Sequence, residues 1–372
     1  MTHVHPVTAL LQAGVADRVF PGAVLHVRVG GHVVYEQAVG RLTYDPHSPA
    51  VSPDIVYDLA SLTKPLVTTL GVLHLLEQGR LDLQQPIGAH WAAVASTEIG
   101  MASCEQVLAH ATGLPAWRAF YERLAPVPGE GWNSTQRATA IRQVCQWIVD
   151  EPLASPPGAR SLYSDLGFML LGFFLEHLLG MPLDVWWRQE RPAVRHLRAV
   201  DFIDRPRTVE QVFGSGVLVA PTECDPWRGR LLCGEVHDEN AWSLGGVAGH
   251  AGLFGTADAV GELGQWWLDQ RAAHETTARS AWVRRLTARV LGISGSSRAL
   301  GWDTPSPPSS SGQYFSAQAF GHLGFTGTSL WMDPEAGLLV VLLSNRVHPS
   351  RANEQIRAFR PRLHDAVYQA WG

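Results

Sequence analysis

The chain has 372 residues, 46% of them apolar, with 36 Gly, 24 Pro and a formal net charge of −5, enough for one large or two modest globular domains around a sizeable core. Mild acidity without a basic block argues against nucleic acid or an anionic membrane surface as the main partner. The longest apolar stretch, Leu166 to Leu175, is interrupted by Glu176, well short of the roughly 20 residues a spanning helix needs.

In chain order, the amino terminus lacks a charged leader, an apolar core segment and a small-residue cleavage site, so a cytoplasmic location is expected. Val7 to Ala16 reads as a short amphipathic helix, and Ala23 to Val29 and His32 to Val39 as strands joined through the Gly30-Gly31 turn. Leu66, Val67, Leu70 and Leu73 have helical spacing within Lys64 to Gln78, with Gly79 as the left-handed cap. From about Arg80 to Gly234 helices separated by Pro and Gly breaks are expected. They include a capping box at Ser103 to Gln106, a helix over Gln136 to Val149, and one over Gly167 to Leu179 too apolar to be exposed. A helix over Ala257 to Arg271 follows, then a solvated loop over Thr304 to Gly312. Strands at Ala319 to Gly324, Thr328 to Met332 and Leu338 to Ser344 precede a final helix over Glu354 to Trp371.

Strands at both ends with helices between them imply an α/β (α+β) fold of two lobes. Residues 1–79 and 235–372 would form a mostly antiparallel sheet flanked by helices, residues 80–234 an inserted all-helical lobe, and the ligand site the cleft between them. Cys104, Cys145, Cys224 and Cys233 are too sparse for a disulfide framework. Cys224, Cys233 and His237 match no structural zinc spacing, and no metal or other cofactor is expected. Trp117, Trp132, Trp242 and Trp302 fall in expected loops, where a sugar platform competes with ordinary core packing.

Of the 29 basic residues 28 are Arg and one, Lys64, is Lys, so chemistry that needs a deprotonatable ammonium falls to that side chain. It stands in Ser61-Leu62-Thr63-Lys64 at a helix start, where residues three apart share a face. Ser61 then lies at the positive end of the helix dipole, and burial with cationic neighbours would lower the lysine pKa enough for a base. Tyr163-Ser164-Asp165 precedes the apolar helix; the phenol beside an ammonium could lose its proton early and shuttle protons, or Tyr163 could merely pack at a helix entry capped by Ser164 or Asp165. His322-Leu323-Gly324-Phe325-Thr326-Gly327 lies on or after a strand, where a glycine lets a ligand lie close and a following N–H can face the cleft. The alternative is a hairpin bend with a buried histidine.

Together these three boxes, with YDLASLTKPL, LAHATGLPAW and GHLGFTGTSLWMDP around them, resemble the serine β-lactamase and penicillin-binding-protein superfamily over nearly the whole chain, in its class C branch of esterases and D-amino-acid peptidases. The resemblance implies an acyl-enzyme hydrolase with Ser61 as nucleophile, Lys64 and Tyr163 as the proton-transfer pair, and the amides of Ser61 and Phe325 as the oxyanion hole. Two departures weaken recognition of a β-lactam carboxylate: His322-Leu323-Gly324 stands where those enzymes carry Lys-Thr-Gly, and Asp165 replaces an Asn. The segment Gly234 to Phe254, rich in small and polar residues, resembles the sub-branch of N-acetylmuramyl-L-alanine amidases. There His237, Asp238 and Asn240 are either substrate contacts or parts of a structural loop. A muropeptide-like or small ester substrate is expected, with a carboxylesterase or weak β-lactamase, or a cell-wall-fragment sensor without turnover, as alternatives.

Overall fold

Apolar residues on consecutive positions, Leu338 to Leu343, mark a strand covered on both faces. The computed structural model, which describes residues 5–124, 132–193, 199–273 and 277–372, places that strand at the centre of the sheet. Helix α1 (Pro6–Ala16) and the hairpin β1 (Gly22–Val29) and β2 (His32–Gly40) come first. The short strand β3 (Tyr57–Asp58) leads into a 3₁₀ turn over Ala60–Leu62, a π-helical stretch over Lys64–Thr69 and helix α2 (Leu70–Glu77). An extended helical region follows: α3 (Cys104–Leu108), α4 (Ser134–Val149), α5 (Asp165–Leu179), α6 (Leu183–Glu190) and α7 (Val209–Phe213). Three short strands, β4 (Val200–Phe202) before α7 and β5 (Cys224–Asp225) and β6 (Arg230–Leu231) after it, show that residues 80–234 are not all-helical as expected: two- and three-residue strands carry too few residues for a period to show in the sequence. Then come α8 (Glu239–Ser243), β7 (Leu253–Gly255), α9 (Ala257–Ala272), α10 (Ala278–Thr287), β8 (Phe320–Leu323), β9 (Ser329–Asp333), β10 (Leu338–Ser344) and α11 (Ile356–Trp371).

The main sheet is antiparallel in the order β2-β1-β10-β9-β8, with β1 and β10 paired from Ala23 opposite Ser344 to Val29 opposite Leu338. Both ends of the chain therefore build it. Along β10, Leu339, Val341 and Leu343 face the larger core, while Leu338, Val340 and Leu342 face a second core shared with α1 and α11, the strand period of two at work. Helix α9 is tied to β1 by Arg28, which donates to Asp258 at 2.9 Å and Glu262 at 2.6 Å. A smaller sheet, β3-β7-β4, lies beside Ser61.

The longer expected elements are present with ends moved by a few residues, while the short elements β3 to β7, α7 and α8 were not expected. The exception in kind is the helix after Ser61, which opens with a π-helical turn, a geometry frequent at functional sites. Helices α6 and α10, which carry several charges and one or two buried faces, were not anticipated because their apolar residues are few. Trp302 and Trp132 are buried, whereas Trp117 is exposed. Among the described residues no single helix is long and apolar enough to cross a membrane.

Leu342 is fully buried between the sheet and α11. Leu342→Ala is expected to lower the free energy of unfolding by about 2–5 kcal/mol through lost contact and a residual cavity; a change under about 1 kcal/mol in chemical denaturation would place that core elsewhere.

Candidate active site

Ser61 sits on the tight turn that leaves β3. Ala60, just before it, takes a φ of +48°, a strained value for a residue with a Cβ. Asp58 holds it there: Oδ1 accepts the Ala60 N–H at 2.8 Å and Oδ2 accepts the His237 N–H at 2.7 Å. Burial pushes the Asp58 carboxyl up, against the pull of these two bonds.

Lys64 is wholly buried, and an ammonium has three hydrogens to place. One goes to Ser61 Oγ at 2.8 Å and one to the His250 carbonyl at 3.2 Å, and Asp165 Oδ1 lies 2.7 Å from Nζ. Burial alone would lower its pKa, as the sequence suggests, but the Asp165 carboxylate and Tyr163 outweigh burial and the net direction is up. Lys64 is thus held as an ammonium, not as a free amine. The carboxylate that replaces the usual Asn is the cause.

Tyr163 packs against the His110 ring, 4.5 Å between centroids, with the Arg298 guanidinium 5.1 Å over its face. Its hydroxyl interacts with both Lys64 and Ser61; burial nevertheless raises its pKa, with Lys64 opposing. Ser164 caps α5, accepting the Gly167 N–H at 3.2 Å, so the helix entry and the placement of Tyr163 occur together. His322 donates from Nδ1 to the Leu323 carbonyl at 2.8 Å, which leaves Nε2 as a buried acceptor without a partner among the described residues. Burial, then Lys64 and Arg298, push His322 well below its ordinary value, and His110 likewise falls well below it.

Two threonines fasten the turn after β8 beside the serine. Thr326 Oγ1 donates to the Asp58 carbonyl at 2.7 Å and Thr328 Oγ1 to the Leu59 carbonyl at 3.1 Å. A side chain on Gly324 would stand 2.6 Å from the Leu59 carbonyl oxygen, so glycine is what lets the turn approach. Among the described residues no protein acceptor takes the N–H of Ser61 or of Phe325.

These groups line one cleft of about 690 Å³ that includes Ser61, Tyr163, Asp165, His237, His322, Gly324 and Phe325. His237 stacks on Phe325 with ring centroids 5.7 Å apart and donates to Glu223 at 2.8 Å. Asp238 accepts from His250 Nε2 at 2.9 Å and from the Ala241 N–H at 2.7 Å; burial opposes its charge, but these partners hold its carboxyl below the usual range. Asn240 has a different place: its amide accepts from the Tyr121 N–H at 3.0 Å and donates to the Arg118 carbonyl at 2.9 Å, tying α8 to the 118–121 segment. Sequence reasoning gave no role to Asp58, Thr326, Thr328, His250 or Arg298; all but Asp58 become neighbours of Ser61 or Tyr163 only through folding. Among the described residues no group of three or more His, Cys, Asp or Glu is arranged to hold a metal ion, and Cys224 and Cys233 are exposed free thiols.

Compared with known proteins, residues 7–361 match the Beta-lactamase family. An N-acetylmuramyl-L-alanine amidase of Bacillus subtilis is 31% identical over 366 residues, covering 88% of this chain and 78% of the relative. A class C beta lactamase from Rhodobacter sphaeroides superposes with a TM-score of 0.70 at 17% identity, covering 99% and 100% of the two chains. A beta-lactamase/D-alanine carboxypeptidase from Pseudomonas syringae gives 0.69 at 16% identity, with 98% and 97% covered.

Histidines kept neutral by burial make stability depend on pH. His110 and His322 have folded values well below the ordinary 6.5, so their contribution is complete above about pH 6.5 and is lost as pH falls and the unfolded chain takes up protons. Thermal midpoints should drop below pH 6.5, and less steeply in His322→Gln; parallel curves for the two proteins would contradict the buried neutral ring.

Proposed function

This chain belongs to the Beta-lactamase family of serine hydrolases, and we propose that it opens an amide or ester through an acyl-enzyme on Ser61. The observation that carries this reading is the continuous contact from Ser61 Oγ to Lys64 Nζ to Asp165 Oδ1, at 2.8 and 2.7 Å, on the wall of the cleft.

In this mechanism Ser61 Oγ adds to the substrate carbonyl carbon while its proton moves to Lys64 Nζ, and Nζ passes one of its own to Asp165. The lysine stays an ammonium throughout and the carboxylate becomes the proton store. The N–H groups of Ser61 and Phe325 receive the developing oxyanion. Collapse breaks the bond to the leaving group, which takes the proton back through Lys64 and the Tyr163 hydroxyl. Water then adds to the acyl-enzyme by the same route and Ser61 is released.

For the substrate we favour the amide between a muramyl lactyl group and L-alanine. The support is the 31% identical Bacillus subtilis relative, together with a cleft large enough for a sugar peptide and bordered by arginines. Four free cysteines suit a reducing, cytoplasmic setting for such recycling.

A fluorophosphonate probe should add its mass to the intact protein and fail to do so in Ser61→Ala; an unchanged adduct in that variant would sink the mechanism. Lys64→Arg keeps the charge but cannot pass a proton on, so turnover is expected to fall at least about 10²-fold. Near-normal activity there would refute the relay. MurNAc-L-Ala and p-nitrophenyl acetate separate the substrate readings: turnover of the ester alone favours a carboxylesterase, and a persistent adduct without turnover favours a sensor.

A further inference from the structure

Three arginines are buried among the described residues: Arg28, Arg346 and Arg360. Arg28 is matched by Asp258 and Glu262, as a buried charge ordinarily must be. Arg346 and Arg360 have no carboxylate within ion-pair distance among the described residues; both line the cleft and bond to backbone carbonyls. Burial and neighbouring arginines pull them down, Arg346 to about 10 and Arg360 to about 9. Two unmatched cations beside a reacting centre are costly, and their partners show what that cost supports.

Arg360 Nη2 donates to the Gly324 carbonyl at 2.9 Å and to the Thr328 carbonyl at 2.8 Å, and Arg346 Nε donates to the Phe325 carbonyl at 2.8 Å. The Gly324 carbonyl and the Phe325 N–H are the two ends of one peptide group. A charged donor on the oxygen draws density from the nitrogen through amide resonance, and hydrogen bonds so chained strengthen one another by about 10–30% each. The same cations place positive potential behind the point where an oxyanion would form, and their burial leaves it weakly screened.

We infer that Arg360 is a positioning residue that polarises the Gly324–Phe325 peptide and so strengthens the Phe325 N–H toward the oxyanion of the tetrahedral intermediate, with Arg346 clamping the next carbonyl. A neutral donor would pin the turn equally well; the charge is what electrostatic stabilisation of an anion requires. This role rests on the acyl-enzyme reading, in which Phe325 supplies an oxyanion donor.

The test is the second-order rate of phosphonylation of Ser61 by a fluorophosphonate, together with kcat and KM for p-nitrophenyl acetate, all per titratable serine. Arg360→Gln keeps a donor and loses the charge; Arg360→Lys keeps the charge. In Arg360→Gln both the phosphonylation rate and kcat should fall about 10-fold or more, within the 10²–10³ associated with a whole oxyanion donor, while KM stays within about twofold. Arg360→Lys should recover part of the loss. Arg346→Gln, expected to lose about threefold because it removes the second buried cation behind the turn, serves if the Arg360 variants do not fold. A purely structural role would lower the melting midpoint and the titratable fraction while leaving the rate per titrated site unchanged, and that result overturns the proposal. So does a loss confined to KM for anionic substrates, which would make the pair a substrate-anion site. If Ser61→Ala itself still reacts with the probe, the acyl-enzyme reading fails instead.

Discussion

The ammonium of Lys64 is wholly buried, and three separate segments supply its oxygens. Ser61 comes from the turn after β3, Asp165 from the start of α5 and the His250 carbonyl from the loop before β7. An unpaired buried charge costs several kcal/mol, so this site is satisfied only when all three segments are docked together. The cleft's geometry and the fold's assembly are in this sense one requirement. Close backbone contact allows it: Gly172 of α5 and Gly249 of the loop face each other where a side chain on either would meet the other at 2.8 Å.

Charge in the cleft is distributed in a way that residue types alone do not suggest. The lysine is held charged by its carboxylate neighbour, and the buried histidines at 110 and 322 are held neutral by desolvation and by the cations around them. Position 322 therefore offers an acceptor where the related third box offers a permanent cation. The cations of this cleft stand instead on other segments: Arg298 over the face of Tyr163, and Arg346 and Arg360 behind the turn that follows β8. Positive charge is thus moved from the strand to its surroundings, while Asp165 pairs with Lys64.

Much of the fold was legible because its signals are local. Alternation and apolar runs mark β1, β2 and β10, caps mark α3 and α5, and Gly79 and Gly180 take the left-handed conformation at helix ends. The strand signals at both ends of the chain required a shared sheet with helices between, which is the observed architecture. Less legible were α6 and α10, whose buried residues are too few to stand out from their charges, and the π-helical turn at Lys64, which depends on how that segment packs.

At the site the same division holds. A serine three residues before the one lysine, a tyrosine before an apolar helix and a glycine after a strand are short-range patterns, and the structure brings all three to one cleft. Asn240, read from its loop alone, instead bridges Tyr121 and Arg118, because a side chain's partner is set by the chain that packs against it. The sequence by itself determined the longer elements, their order and the residue types that meet in the cleft. Only the tertiary structure decided protonation and partnership, since desolvation and a neighbour's charge arise from residues up to some 270 positions away, as between Thr328 and Leu59.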